Sequence, residues 1–161
     1  MTPRTSLTSR ASLLLALTLI CATTSVVAAQ TALPGGFEIR LLPGYKHEPL
    51  QGIDSIVGKV VKQDGLEIMY EIGRVPAGDF RLGGDYSNRA AALPEQNRLW
   101  LKEQTVGGRK FTIAYGQDHR LTISTANDKQ GVNFSAVAKS DEELADVLLM
   151  VLSFGEGKEK K

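Results

Sequence analysis

Cysteine is nearly missing from this 161-residue chain, and the single one, Cys21, falls in an apolar leader. A domain that begins after that leader has no disulfide, no thiol nucleophile and no thiolate metal site. Histidine is almost as scarce: His47 and His119 are the two in the chain, in neither an H-x-H nor an H-x-x-x-H spacing. A metal site built on them would have to draw Glu48, Asp54 or Asp118 from separate segments, so no metal or other cofactor is expected. Excess charge of one sign is lacking too. The formal charge is +1, and without Arg4 and Arg10 the 19 basic residues become 17 against 18 acidic ones. That balance gives no basis for a nucleic-acid partner or for attraction to an anionic membrane. The glycine pairs 35–36, 83–84 and 107–108 stand in no phosphate-cradling string, and no D-x-D-x-D-G calcium loop occurs. Aromatic residues are few, at 6%. Trp100, Tyr45, Tyr70, Tyr86 and Tyr115 read as packing residues; an exposed cluster of rings would instead point to a carbohydrate or peptide face.

A long hydrophobic run is also missing. Leu13 to Ala22 is apolar but is broken by Thr18 and followed by Thr23, Thr24 and Ser25, whereas a membrane span needs roughly 20 consecutive apolar residues. Arg4 and Arg10 before the run, and Val27-Ala28-Ala29 after it, give the order of a secretory signal peptide with cleavage after Ala29. A lipidated Cys21 would want Gly, Ala or Ser before it, and Ile20 stands there. The expected division is therefore a leader over 1–29, one domain over 30–155 and a polar tail over 156–161. The protein is expected to be secreted or periplasmic, with no membrane span once the leader is removed.

The organising stretch of the mature chain is its last, Ser140 to Phe154. Ser140 and Glu143 form a capping box, and Asp141, Glu142 and Glu143 place negative charge at the positive end of the helix dipole. Leu144, Val147, Leu148, Val151 and Leu152 then recur at the spacing of one apolar helical stripe. Gly155 is the expected stop.

Before it, strands are expected at Phe37 to Leu42, Ser55 to Gln63, Leu66 to Gly73, Leu99 to Val106, Lys110 to Tyr115, Leu121 to Ser124 and Val132 to Ala138. Asp64-Gly65, Gly107-Gly108, Gly116 to His119 and Asn127 to Gly131 are hairpin connections, and such short turns require antiparallel neighbours. Leu33 to Gly36 reads as a turn, Tyr45 to Asp54 as a loop, and Arg74 to Asn97 as an irregular stretch with room for a short helix from Tyr86 to Leu93. The fold class is α+β: a two-layer structure in which an antiparallel meander is covered on one face by the C-terminal helix. The other face, with Glu67, Glu71, Thr112, Thr122 and Ser124, is then the place for an unknown protein or small ligand.

One constellation carries potential chemistry. His47, Asp54 and Ser55 lie within nine residues, which suggests a small hydrolase or a metal-assisted enzyme as the alternative function. Ser55 is not in a G-x-S-x-G elbow, and neighbours along a strand point to opposite faces, so an Asx or Ser/Thr turn at a strand entrance accounts for the same residues.

Leu42-Pro43-Gly44-Tyr45, Gly52-Ile53-Asp54-Ser55 and Glu71-Ile72-Gly73 resemble strings in a group of uncharacterised exported bacterial proteins. The layout from Phe37 to Phe154, ending in Leu152-Ser153-Phe154, is similar to the PsbP- and DcrB-like exported domains. This resemblance implies a binding or accessory role and transfers no catalytic residue. The expected function is an exported, non-enzymatic binding or accessory domain.

Overall fold

The computed structural model describes residues 28–63, 65–75 and 86–157. Residues 1–27 of the expected leader, with Cys21, as well as Asp64 of the Asp64-Gly65 turn, residues 76–85 and the last four residues lie outside the described residues.

Alternation of apolar and polar residues builds the strands. β1 (Ala29–Leu33) and β2 (Phe37–Leu41) form an antiparallel hairpin, followed by β3 (Tyr45–Leu50), β4 (Ile56–Lys62) and β5 (Glu67–Arg74). A short helix α1 (Arg89–Ala92) and a 3-10 turn (Glu95–Asn97) lead into β6 (Arg98–Val106), β7 (Arg109–Gly116), β8 (Arg120–Ala126) and β9 (Gln130–Val137). Helix α2 (Asp141–Val151) and the two-residue β10 (Gly155–Glu156) are the last elements among the described residues. The turn expected at Leu33 to Gly36 is present, while most of the stretch 45–54 read as a loop is strand, and β1 is a strand where none was expected. β1 overlaps the end of the expected leader, and β3 keeps Pro49 because it is an edge strand, where a missing N–H breaks no inner ladder.

The large sheet has the order β3-β4-β5-β9-β8-β7-β6, and every pairing is antiparallel. It is therefore two meanders joined edge to edge. β5 pairs with β9, not with its successor β6, so the stretch after Arg74 carries the chain to the far edge of the sheet. β1, β2 and β10 make a second, three-stranded sheet.

Rows of cross-strand partners define two faces. The inner face carries Val60, Ile68, Tyr70, Ile72, Phe111, Leu121, Ile123, Val132 and Phe134, all buried. Against it pack Val147, Met150 and Val151 of α2, then Phe154, together with Leu33, Phe37, Ile39 and Leu41 of the small sheet. Rings bridge the layers, with Phe154 stacked 4.8 Å from Phe37 and edge-on to Phe134 at 5.1 Å. The α+β, two-layer architecture is thus as expected, but the helix shares its role as cover with the small sheet.

Details of α2 differ from the simple stripe. Ser140 Oγ accepts from the Glu143 N–H at 3.2 Å, and the Glu143 carboxylate accepts from the Lys139 N–H at 2.6 Å, one residue earlier than a standard capping box. The buried line runs through Val147, Met150, Val151 and Phe154, while Leu144, Leu148 and Leu152 are half-buried at its flank. Gly155 is not a left-handed stop; the helix ends at Val151, and Gly155 and Glu156 pair with β2. The Gly157 N–H donates to the Gly36 carbonyl at 2.8 Å, so the tail expected from residue 156 starts inside paired structure.

Candidate functional site

His47 lies opposite Val60, on the inner face. Its Nε2 is 2.8 Å from the Tyr70 hydroxyl and its ring stacks on that of Tyr70 at 5.8 Å. Gly58 makes room for this pair, since a Cβ there would come within 2.3 Å of the Tyr70 oxygen. Ser55 instead donates to Glu71 Oε1 at 3.2 Å, and Glu71 belongs to the opposite, outer face. Asp54 is exposed in the loop between them. The three residues close in sequence are not brought together: the imidazole and the hydroxyl sit on opposite sides of the sheet, so neither can pass a proton to the other. Among the described residues no group of three or more His, Cys, Asp or Glu is placed to hold a metal ion.

Burial holds the His47 imidazole below its ordinary value of 6.5. The unfolded chain then binds a proton in a range where the folded chain does not. This contribution to stability is full above 6.5 and is lost as pH falls from there through the folded value. Urea midpoints of the native chain should therefore drop more steeply between about pH 7.5 and about pH 5.5 than those of His47→Phe. Equal slopes would show that His47 is not buried as neutral imidazole.

The polar face expected to be open is partly covered. Thr112, Ser124 and Asn133 are 6%, 1% and 5% exposed, beneath residues 86–92. Asn88 Nδ2 donates to Thr112 Oγ1 at 3.2 Å, the Ala90 N–H to Ser124 Oγ at 3.0 Å, and Asn133 Nδ2 to the Ser87 carbonyl at 2.8 Å. Ser124 Oγ in turn donates to Asn133 Oδ1 at 2.6 Å. Tyr86 reaches over the same strands, its hydroxyl 3.0 Å from the carbonyls of both Thr125 and Val132. Thr122 is buried as well. Thr112, Thr122 and Ser124, expected on an open face, are thus buried in this structure. The short polar side chains there serve as partners for the backbone of the covering segment, which is how a polar group becomes buried without penalty. Of the five expected residues, Glu67 is exposed, while Glu71 is half-buried and ion-paired to Arg89.

What stays open is the half of the outer face on β3, β4 and β5 with the end of β9. Two rows cross it, Glu48-Lys59-Met69-Ser135 and Leu50-Val57-Glu71. Lys59 Nζ sits 3.1 Å from Glu67 and 3.6 Å from Glu48, and Lys46 is 2.8 Å from Glu48. Hydrogen bonding to Lys46 holds the Glu48 carboxyl below the usual carboxylate range, and bonding to Glu67 raises Lys59. Around these fixed charges Leu50, Met69 and Val137 are 40%, 38% and 39% exposed. A shallow notch of about 550 Å³ at the sheet edge is lined by Gly44, Lys46, Glu48, Lys59, Val61 and Gln63. A larger groove, about 710 Å³, runs between the β1–β2 turn and the β8–β9 turn, with Phe37 and Glu156 in its wall.

β6 is the strand expected over Leu99 to Val106, but none of the expected site residues lies on it. Every residue from Leu101 to Val106 is exposed, although the partner strand β7 is largely buried. On its inner side the half-buried Trp100 packs 5.7 Å from Tyr115, whose hydroxyl is 3.1 Å from His119 Nδ1, with Lys102 Nζ 5.8 Å from the indole. The signal was faint, because the run Leu99-Trp100-Leu101 looks like any core strand.

No family model and no curated protein matches the sequence. In three dimensions the chain is similar to the solution structure of cyanobacterial PsbP (CyanoP) from Synechocystis sp. PCC 6803, with a TM-score of 0.56. The match covers 84% of this chain and 96% of that one at 11% identity. At that identity the likeness is one of fold, and the expected PsbP-like layout is present.

Proposed function

We propose that this protein is an exported, non-enzymatic accessory domain that binds a protein or small ligand on the open half of its outer sheet face. The observation that carries the reading is the set of exposed apolar side chains, Leu50, Met69 and Val137, held on rigid strands among the charges of Lys46, Glu48, Lys59 and Glu67. Interfaces of that kind pair apolar contact with a polar rim that orients the partner. The fold likeness to PsbP, the leader expected over 1–29 and the resemblance of the Gly52 to Ser55 string to exported bacterial proteins are the support for reading it as a secreted or periplasmic, single-domain protein. Among the described residues no helix is long and apolar enough to cross a membrane.

Cross-linking of the exported, tagged protein in intact cells tests this. A discrete partner should be retained by the native chain and by Leu149→Lys, a change on an exposed helix position away from this face. The combined Met69→Lys and Val137→Lys variant should lose at least about nine tenths of it, as removal of central contacts does. Recovery of the same partner by all three proteins, or of none by the native chain, would sink the proposal.

A further inference from the structure

The large sheet ends in two edges of different character. β3 is six residues long and is guarded by Pro49. β6 runs nine residues without proline or glycine and, among the described residues, pairs with β7 alone. It also rises beyond both covering layers, with Lys102 and Gln104 exposed on one side and Leu101, Glu103 and Thr105 on the other. Three of the chain's exposed large apolar residues are on this strand: Leu99 at 59%, Leu101 at 36% and Val106 at 37%. An edge of that length with apolar side chains is a template for one more strand.

We infer that β6 is a docking edge for an extended segment of another protein, added as an antiparallel strand. This goes beyond the outer-face reading and does not depend on it. A second copy of the chain fits poorly. Two-fold antiparallel pairing sets the central residue against itself, and an axis at Lys102 or Glu103 opposes like charges. An axis at Leu101 runs into the bulge between Arg98 and Trp100, and an axis at Gln104 leaves only two residues before the Gly107-Gly108 turn and sets Lys102 against Val106. The adjacent opposite charges instead define a partner strand with an acid opposite Lys102, a base opposite Glu103, and β-branched residues opposite Trp100 and Leu101. Glu103 already attracts a cation, with Lys110 Nζ at 2.8 Å from its carboxylate.

Trp100 is the chain's single tryptophan and sits on the strand in question, so its emission reports occupancy directly. The probe is the full chain titrated with acetyl-Val-Thr-Thr-Lys-Glu-Val-Ile-amide, against the same peptide with its Lys and Glu exchanged. The first should shift Trp100 emission and bind about tenfold more tightly than the second. The double variant Lys102→Glu, Glu103→Lys changes exposed positions only and should reverse the preference. No shift at millimolar peptide, or equal binding of both peptides, would overturn the inference. So would a sedimentation mass of two chains that Leu101→Lys returns to one, since the edge would then be held by a second copy.

Discussion

Val151→Asp should leave the chain unfolded at room temperature. Val151 is 0% exposed, at the centre of the line where α2 meets the inner sheet face, between Val147 and Phe154. An aspartate there is either a charge without a partner or a protonated acid without hydrogen bonds, at a cost of several kcal/mol. A domain of this size has about 5–15 kcal/mol in total. Circular dichroism should show loss of the cooperative melt for Val151→Asp. Leu149→Asp, only two residues away in sequence but on the exposed side of the helix, should melt as the native chain does, because Leu149 is 64% exposed. A cooperative, unshifted melt for Val151→Asp would mean that α2 does not seal the core. Leu148→Asp should fall between the two, since Leu148 is half-buried.

Gly131→Ala should be strongly destabilising for so small a substitution. A Cβ at Gly131 would lie 2.2 to 2.3 Å from Cδ1, Cε1 and Cγ of Tyr86. Cγ is at the root of the ring, so a rotamer change of the outer ring does not relieve the clash. Tyr86 must move as a whole, giving up the bonds of its hydroxyl to Thr125 and Val132 and loosening the segment over Ser124 and Asn133. Overpacking of this kind costs about 1–3 kcal/mol, and the lost hydrogen bonds place the value at the upper end. The mechanism predicts a particular non-additivity. In a Tyr86→Ala background the ring is gone, and Gly131→Ala should then cost less than about 1 kcal/mol. Equal costs in both backgrounds, measured by urea denaturation, would show that Tyr86 is not the obstacle.

The two predictions concern opposite faces of one sheet, and their legibility in the sequence differed for a physical reason. The inner face is recognised by apolar periodicity, because burial there is driven by area removed from water and leaves its mark residue by residue. Leu66, Ile68, Tyr70 and Ile72 are buried as their alternation requires, and Val147 and Val151 as theirs does. The outer face has no such mark. Thr112, Ser124 and Asn133 are buried by hydrogen bonds to residues 87–90, and the same polar residues would suit open water equally well. His47, Asp54 and Ser55 illustrate the converse, since closeness along the chain gave no closeness of functional groups across a sheet.

By itself, the sequence determined the α+β class, the antiparallel pairing, the capped C-terminal helix and most strand positions, since each rests on local periodicity, turn chemistry or caps. Only the tertiary structure decided that β5 lies beside β9, that β1, β2 and β10 share the cover of the core with α2, and that residues 86–92 close the middle of the outer face. These are long-range choices. They depend on which backbone groups find partners across the sheet, and no short stretch of sequence records that. The same choices leave one half of the outer face and the β6 edge exposed, which is where binding is to be sought.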